Sequence, residues 1–497
     1  MKGLGRESEG MGQRTANEAS GGPAPNRRRP YLFALLGLVL GAWTTAAGQG
    51  AQPETQQPGA GAQLHTGTSS GLDTDARLEN LLADHQFLRM ETELDQLPPQ
   101  QAQLYRGILA NRNNDLKKSI ELLEPLVEQV AASGNAVHEK LLRKALAEDY
   151  LREGDLAKAA KAYQTLETRL QNKLSKDEQD EIEMPVKLLP LAVDHPPMTV
   201  EACDPFVLQV EKNPLGLIDV PVFVDARPHS WMLDPTAPFN LISRSQAKEV
   251  GLKVSDEAAT IHTLTGRAIQ VHSTVIPRFT VGGQLTLRDM TAFVFEDADY
   301  RFPRTHYQVE GVLGYAALSA LGSVTITADD TIAVRPAKQI AQAEKEDLLT
   351  KGARFFLDGD QIIVALGKAG MGGEGSSPTG SRAGEERMYV VDAGGQQTYL
   401  TSRYYDEHMG DFAGQKMELF TLPGPQAVVP QPAFVAETIP LAVGANTVHV
   451  HYLQVLTQPL GSAALDDVYG VLGVDALDQL KAYTFDYRTM RFSVKPE

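Results

Sequence analysis

Residues 387–395 of this 497-residue chain have the sequence RMYVVDAGG, an apolar, β-like run that ends in one carboxylate and is followed at once by a turn of small residues. One such turn is a weak signal. A partner lies much earlier in the chain, where residues 230–238 have the sequence SWMLDPTAP. Each stretch therefore places an aspartate, Asp234 or Asp392, at the end of a predicted strand.

Other landmarks recur in the same order, at nearly the same interval that separates the two aspartates. GVLG occurs at 311–314 and again at 470–473, TG at 265–266 is matched by PG at 423–424, and VGG at 281–283 is matched by VGA at 443–445. Landmarks in a nearly constant register indicate an internal duplication. We predict two similar lobes, each of which contributes one aspartate.

The two lobes are predicted to be mostly β. Residues 200–336 are rich in β-branched side chains punctuated by Pro and Gly, which favours short strands and turns. Residues 337–386 form a connector, with a predicted hairpin at the Asp358-Gly359 turn and a Gly/Ser-rich loop after it. In residues 387–497 the order of elements of the first lobe returns.

Residues 75–185 have helical periodicity instead. Two segments are predicted to be helix–turn–helix units, with their turns at Asn114-Asp115 and Gly154-Asp155. The pattern resembles tetratricopeptide repeats, well over 141–170 and more loosely over 101–130. That resemblance implies a concave face that binds a peptide or a partner protein. The alternative is a helical spacer that binds nothing.

The N-terminus predicts export. Three arginines at 27–29 end a polar, basic extension (residues 1–30), and the apolar run 31–47 follows them. This run is either a signal peptide or an uncleaved membrane anchor, and the preceding positive charge directs the rest of the chain outward in both cases. We expect a periplasmic, secreted or anchored protein, which contacts the membrane through 31–47 if that run is retained. Residues 48–74 are a predicted linker.

Composition narrows the function classes. The formal net charge of −17 argues against nucleic-acid binding, which needs a clustered basic surface. Cys203 is the only cysteine, so no disulfide forms within the chain. His449 and His451 alternate on a predicted strand, but no third metal ligand is evident. Gly282-Gly283 and Gly394-Gly395 are not phosphate loops, because neither has the Gly-rich spacing with a lysine that a phosphate cradle needs. We predict no metal and no other cofactor.

Paired aspartates of this kind are suited to amide hydrolysis. A carboxylate in a tight turn after a hydrophobic strand is partly desolvated, and two such carboxyls brought together cannot both ionise. They share one proton as a coupled pair. The ionised member then activates a water molecule while the protonated member donates to the substrate carbonyl. This chemistry needs neither a covalent intermediate nor a metal.

Both lobes resemble the aspartic protease family, specifically a bacterial retropepsin-like, pepsin-like unit fused in tandem. The resemblance covers about residues 215–335 and 385–497. In that family an apolar strand leads into Asp-Thr/Ser-Gly-Ala, and a second segment, two apolar residues followed by Gly, crosses behind the Asp loop. The fold implied for the whole chain is multidomain: an N-terminal all-α helical repeat followed by a mostly-β, two-lobed aspartic-protease-like fold.

The resemblance also implies roles for individual residues. Asp234 and Asp392 match the catalytic aspartates, and Gly394 matches the glycine of the motif. The crossing segments match residues 313–314 and 472–473. The family's flap, which covers the bound peptide, falls near residues 263–267, so Thr265 and Gly266 are implied to contact substrate.

Three positions depart from the family pattern. The Thr or Ser hydroxyl that ties each Asp loop to the other is absent, because Pro235 and Ala393 stand there, and Thr236 occupies the usual glycine position. Two hypotheses follow. The first is an aspartic endopeptidase that cleaves peptide or protein substrates in the cell envelope or outside the cell. The second is an inactive relative that binds peptide in its cleft or serves as a scaffold, while the helical repeats recruit a partner.

Overall fold

A helical region precedes a β-rich region in the computed structural model, as the sequence predicts. The model describes residues 71–201, 203–235, 237–262, 268–302, 306–336, 340–359, 361–368, 386–395, 397–423, 428–460 and 463–495. The predicted signal peptide or anchor at 31–47 lies outside these ranges. Among the helices that are described, none is long and apolar enough to cross a membrane.

The helical region consists of consecutive α-helices joined mostly by short turns. They are α1 (Gly71–Ala83), α2 (Phe87–Asp95), α3 (Gln103–Arg112), α4 (Leu116–Leu123), α5 (Val127–Ser133), α6 (Ala136–Glu153), α7 (Leu156–Leu170) and α8 (Lys176–Leu188). The pairs α3–α4 and α6–α7 are the two helix–turn–helix units that the sequence predicts.

The two predicted turns are built alike. Asp115 and Asp155 cap the second helix of each unit, and their carboxylates accept the N–H groups of residues 118 and 158 at 3.3 and 3.0 Å. Such a cap satisfies a backbone donor that the helix leaves unpaired. The residues before the caps, Asn114 and Gly154, have φ of +57° and +86°, a left-handed conformation that Asn and Gly tolerate best. The similarity of these units to tetratricopeptide repeats stays a prediction.

A buried carboxyl joins three of these helices. Asp149 on α6 is fully buried, and its two oxygens accept Asn111 Nδ2 of α3 at 2.8 Å and Ser119 Oγ of α4 at 2.5 Å. Burial raises the pKa of Asp149 to about 6, against the opposing effect of these hydrogen bonds. The carboxyl is therefore neutral in the folded protein at a pH where it is ionised in the unfolded chain.

This difference predicts a pH-dependent stability that Asp149→Asn removes. Because the folded pKa is raised, the wild type loses stability as pH rises from about 4 to about 6, by up to roughly 3 kcal/mol from this group. The asparagine variant keeps one side-chain oxygen that accepts a hydrogen bond, and it cannot ionise. Urea unfolding at pH 4, 5, 6 and 7 should show that the free energy of unfolding of the variant rises relative to that of the wild type with each step. Asp95→Asn, at an exposed position on α2, is the control, and parallel curves for wild type and Asp149→Asn would contradict the prediction.

The first lobe follows the connector after α8. Its elements are β1 (Thr199–Val200), β2 (Phe206–Gln209), β3 (Glu211–Lys212), β4 (Ile218–Val224), β5 (Arg227–Leu233), β6 (Leu241–Ser243), α9 (Arg244–Glu249), β7 (Val254–His262), β8 (Ala268–Val281), β9 (Leu285–Phe295), β10 (Arg301–Phe302), β11 (Tyr307–Gln308), β12 (Gly311–Leu313), α10 (Tyr315–Leu321), β13 (Ser323–Thr327) and β14 (Thr331–Arg335).

The second lobe repeats much of this order. Its elements are α11 (Gln342–Lys351), β15 (Ala353–Asp358), β16 (Gln361–Lys368), β17 (Arg387–Val391), β18 (Tyr399–Leu400), α12 (Ser402–His408), β19 (Glu418–Pro423), β20 (Val428–Val443), β21 (Asn446–Leu456), α13 (Ala463–Asp466), β22 (Gly470–Leu472), α14 (Val474–Leu477), β23 (Ala482–Asp486) and β24 (Arg491–Val494).

The duplication is visible in the strand pairing. In the first lobe β12 lies between β5 and β6, parallel to β5 with Leu313 opposite Leu233, and antiparallel to β6. In the second lobe β22 lies between β17 and β18, parallel to β17 with Leu472 opposite Val391, and antiparallel to β18. Both predicted crossing segments therefore run beside the strand that ends at an aspartate. The two-lobed, mostly-β architecture that we predict is confirmed.

The lobes share one sheet at their base. β13 of the first lobe pairs with β23 of the second, with Thr325 opposite Thr484 and their hydroxyl oxygens 2.8 Å apart. β14 and β2 extend this sheet on one side, and β24 and β15 extend it on the other. The separation of the paired threonines along the chain is close to the interval of the duplication. They therefore lie at the centre of the pseudo-symmetric arrangement.

The strand that follows each Asp loop is short. β6 begins at Leu241 and β18 at Tyr399. The residues just before them, Asn240 and Thr398, bond through their side chains to the crossing segments, as described below.

The helical region packs against both lobes. Phe87 of α2 contacts Phe356 of β15, with ring centroids 4.8 Å apart, and Arg354 donates to Asn113 Oδ1 at 2.7 Å. In the first lobe the Tyr315 hydroxyl donates to Asn114 Oδ1 at 3.1 Å. The helices therefore lie beside the Asp loops and pack directly on the lobes.

Candidate active site

The first Asp loop begins where β5 ends. The Asp234 side chain is completely buried, and its N–H donates to the carbonyl of Leu313 in the crossing strand at 3.2 Å. The Ala237 N–H donates back to the Asp234 carbonyl at 3.2 Å and closes a tight turn, and the Ala237 carbonyl accepts the N–H of Tyr315 at 2.8 Å. The aspartate is thus held by the strand before it and by the segment that crosses behind it.

The second Asp loop repeats this geometry. The N–H of Asp392, after β17, donates to the Leu472 carbonyl at 2.9 Å. The Gly395 N–H donates to the Asp392 carbonyl at 3.2 Å, and the Gly395 carbonyl accepts the N–H of Val474 at 2.8 Å. One further bond concerns the carboxylate itself: the Gly394 N–H donates to Asp392 Oδ1 at 3.1 Å. Asp392 is half-buried.

The two loops meet at Gly394. A Cβ built on this glycine lies 2.5 Å from Asp234 Oδ1 and 2.9 Å from Asp234 Oδ2. The carboxyl of the first lobe therefore rests against the backbone of the second lobe's loop, in space that a larger residue would fill. Three predicted site residues, Asp234, Asp392 and Gly394, are brought together although they belong to different halves of the duplication. The other two, Thr265 and Gly266, lie outside the described residues.

Gly395, the next residue, leaves space for the carboxylate of Asp392. A Cβ at Gly395 lies 2.1 Å from Asp392 Oδ2. Two consecutive glycines thus leave room for two different carboxylates. This explains why the second loop carries Gly at both positions, although neither has the left-handed conformation that usually calls for glycine.

For the endopeptidase that the sequence predicts, this packing implies that Gly394→Ala damages catalysis. The added methyl group has no room beside Asp234 and must push that carboxyl out of position by a fraction of an ångström or more. A displacement of this order in a reacting group costs about 10²-fold in rate. We expect kcat for peptide cleavage to fall by about that factor. Steady-state kinetics with Gly410→Ala as the control test this, because a Cβ at Gly410 meets no atom within 4 Å. Wild-type kcat in Gly394→Ala would contradict it.

Two residues that the sequence did not single out support the loops. Asn240 Oδ1 accepts the N–H of Gly314 at 3.1 Å, and Thr398 Oγ1 accepts the N–H of Gly473 at 2.8 Å. Asn240 and Thr398 occupy equivalent positions in the duplication, and each accepts the N–H of the glycine that follows the crossing strand of its lobe. The interval of the duplication could have identified them, but a search for identical residues misses an Asn that is equivalent to a Thr.

Buried phenols surround the loops. Burial raises the pKa of Tyr487, and the nearby side chains of Tyr315 and Asp234 raise it further. Burial likewise raises the pKa of Tyr399, with smaller contributions from Asp392 and Asp466. Both hydroxyls therefore stay neutral over the working pH range. The carboxyls lie in surroundings of low polarity, where electrostatic interactions are stronger than in water.

One cluster of carboxylates outside these loops has the spacing of a metal site. Oxygens of Glu148, Glu181 and Asp358 lie within 4.8 Å of one another. Their centre is approached by the ammonium group of Lys144, which is 2.6 Å from Glu181, 3.5 Å from Asp358 and 3.9 Å from Glu148. Arg112 also lies 2.8 Å from both Glu148 and Asp358. Side-chain cations already balance these carboxylates, so we interpret the cluster as an ion-pair network.

Comparisons with known proteins agree with the geometry of the first lobe. Residues 220–317 match the family model described as aspartyl protease. This range contains Asp234 and the crossing strand β12. It does not contain Asp392, so the second half of the site is assigned from the duplication and its contacts. No curated protein matches the chain.

The solved structures that are similar to this chain include the following two. A retropepsin-like aspartic protease from Rickettsia conorii shares 17% identity, with 26% of this chain and 98% of that chain covered and a TM-score of 0.20. Basic 7S globulin from soybean shares 10% identity, with 59% of this chain and 96% of that chain covered and a TM-score of 0.34.

Proposed function

We propose that this protein is an aspartic endopeptidase with Asp234 and Asp392 as its catalytic pair. The observation that carries the proposal is the contact of the Asp234 carboxyl with Gly394. This contact places the aspartate of one lobe against the loop that holds the aspartate of the other. The aspartyl protease match over residues 220–317 supports the same function.

The geometry favours a distinct role for each aspartate. Asp392 accepts a backbone N–H, a bond that stabilises a carboxylate, so we assign it as the base. Asp234 is completely buried, which favours the neutral acid, so we assign it as the proton donor. Asp392 takes a proton from water as the water oxygen bonds to the peptide carbonyl carbon, and Asp234 gives its proton to the carbonyl oxygen. The tetrahedral diol then collapses. The C–N bond breaks, the leaving nitrogen takes the proton from Asp392, and one hydroxyl returns its proton to Asp234.

We also propose where the peptidase acts and how it recruits partners. The apolar run 31–47 after three arginines supports export, so we place the peptidase in the cell envelope or outside the cell. The repeated helix–turn–helix units support recruitment of a substrate or partner protein.

Cleavage of a diverse peptide library by the full chain, from about pH 3 to pH 8, tests the proposal. The comparison protein is the double variant Asp234→Asn/Asp392→Asn, purified in the same way. Cuts made by the wild type and absent from the double variant support the proposal. Cuts that persist in the double variant would overturn it. So would the absence of cuts at every pH, and peptide binding without turnover would then assign the cleft to recognition alone.

A further inference from the structure

A cavity of about 220 Å³ lies between the helical region and the first lobe. Its helical wall includes Leu151, Leu156 and Tyr163, on either side of the turn between α6 and α7. Its lobe wall includes Pro235, Ala237 and Pro238, which belong to the first Asp loop. The cavity therefore begins one residue after Asp234.

The position of the cavity relative to the two aspartates limits what occupies it. Neither carboxylate lines it, although Pro235 directly follows one of them. The second lobe also contributes, through Leu357 and Ile362 on either side of the β15–β16 turn. A ligand that reaches both the catalytic pair and this cavity must be extended, and a peptide substrate in a protease cleft is extended. A peptide that occupied both places would present the scissile bond and the group in the cavity at different positions of its chain.

The chemistry of the walls selects an apolar group. Leu151 and Leu156 are only partly covered by the protein, and Tyr163 is buried. Among the charged side chains of the wall, Lys144 pairs with Glu181 at 2.6 Å and Arg152 pairs with Glu148 at 3.2 Å. A charged ligand group would have to compete with these pairs. A large apolar side chain would only displace water from apolar surface, which is favourable.

We propose that this cavity is a substrate subsite that takes a large apolar side chain, aliphatic or aromatic, at a peptide position removed from the scissile bond. The helical region supplies one wall of the subsite and so determines specificity. This inference rests on the proposed peptidase function, and it gives the helices a direct role in substrate choice that a spacer would not have.

Two changes at Leu156 alter the cavity without touching the Asp loops. Leu156→Trp narrows it, and Leu156→Ala enlarges it. The control is Lys161→Trp, which adds the same indole to an exposed position on the same helix, outside the cavity wall. The substrates are matched peptides in which each position in turn carries Ala, Leu, Phe or Asp. We expect Leu156→Trp to lower kcat/KM about tenfold for peptides with Leu or Phe at one remote position, and to leave the Ala peptides unchanged. Leu156→Ala should shift the preference there from Leu towards Phe.

A binding measurement separates this inference from the proposed function. The same peptides are titrated into Asp234→Asn/Asp392→Asn, with and without Leu156→Trp. If Leu156→Trp selectively lowers the affinity for peptides with an apolar residue at one position, the result supports the subsite. This holds even where the wild type shows no turnover, and only the peptidase assignment then fails. The subsite would be overturned if cleavage depends on the two aspartates but Leu156→Trp affects every peptide position equally or affects none. The peptidase assignment would then stand. Thermal unfolding verifies that each Leu156 variant folds, and Leu156→Ala decides the question if the tryptophan variant does not.

Discussion

Replacing either Asp234 or Asp392 by asparagine is expected to lower kcat for peptide cleavage by about 10³-fold or more, with KM changed by less than about threefold. An amide can accept a hydrogen bond, but it neither takes a proton from water nor gives one to a carbonyl oxygen. Because the two carboxyls act as a unit, the double variant should be little worse than each single one. The measurement is steady-state cleavage of the best library peptide at its optimal pH.

Asp330→Asn is the matched control for these variants. It makes the same chemical change at an exposed position in the β13–β14 turn, where φ is +53° and asparagine is well tolerated. Loss of activity in Asp392→Asn alone, with near wild-type kcat in Asp234→Asn, would contradict the pairing. The buried aspartate would then be structural.

Arg112→Met is expected to lower the free energy of unfolding by about 3–5 kcal/mol. The Arg112 side chain is only 5% exposed and lies 2.8 Å from both Glu148 and Asp358. Burial acts to lower the pKa of Arg112, but Asp358 and Glu148 raise it, and the net direction is upward. The guanidinium therefore stays charged. Without it, Asp358 loses its closest cationic partner, and the three carboxylates keep Lys144 and, at Glu148, Arg152 as cationic partners.

Urea unfolding of Arg112→Met beside Lys117→Met measures this effect. Lys117 also forms an ion pair, with Glu121 at 3.9 Å, but these side chains are 87% and 65% exposed. Exposed pairs contribute less than about 1 kcal/mol, so the control should change little. If both variants lose the same free energy of unfolding, the buried cluster contributes no more stability than an exposed ion pair.

The cluster also has a pH signature. Burial acts to raise the pKa of Asp358, yet Arg112 and Lys144 hold it well below its usual range. A depressed folded pKa means that this carboxylate contributes its full stability above about pH 4 and loses it as pH falls through the folded value. The deficit of Arg112→Met should therefore be largest near neutral pH and should shrink in strong acid.

The Asp loops were predictable because their signal is local. A run of apolar residues, an aspartate and small residues follow one another directly in the sequence, and the same order returns in the second half of the duplication. The crossing segments were found by the same interval, and β12 and β22 lie where that register placed them. The predicted turn at Asp358-Gly359 is also present, between β15 and β16.

Other features have no local signal. Arg112, Lys144 and Asp358 come from α3, α6 and the second lobe, and only the packing of the helices on the lobes brings them together. The contact of Gly394 with Asp234 likewise depends on how the lobes face each other. Sequence patterns report the period of one element, whereas these contacts depend on the distance between elements.

The sheet that β13 and β23 share keeps the proposed catalytic pair together at every protein concentration. Both halves of the catalytic pair belong to one covalent chain, and main-chain hydrogen bonds with Thr325 opposite Thr484 hold the lobes together at their base. An active site assembled from two separate subunits falls apart as the protein concentration drops below the dissociation constant. Here no association step is needed to bring Asp234 and Asp392 together. Activity per molecule is therefore expected to be constant from micromolar to picomolar protein.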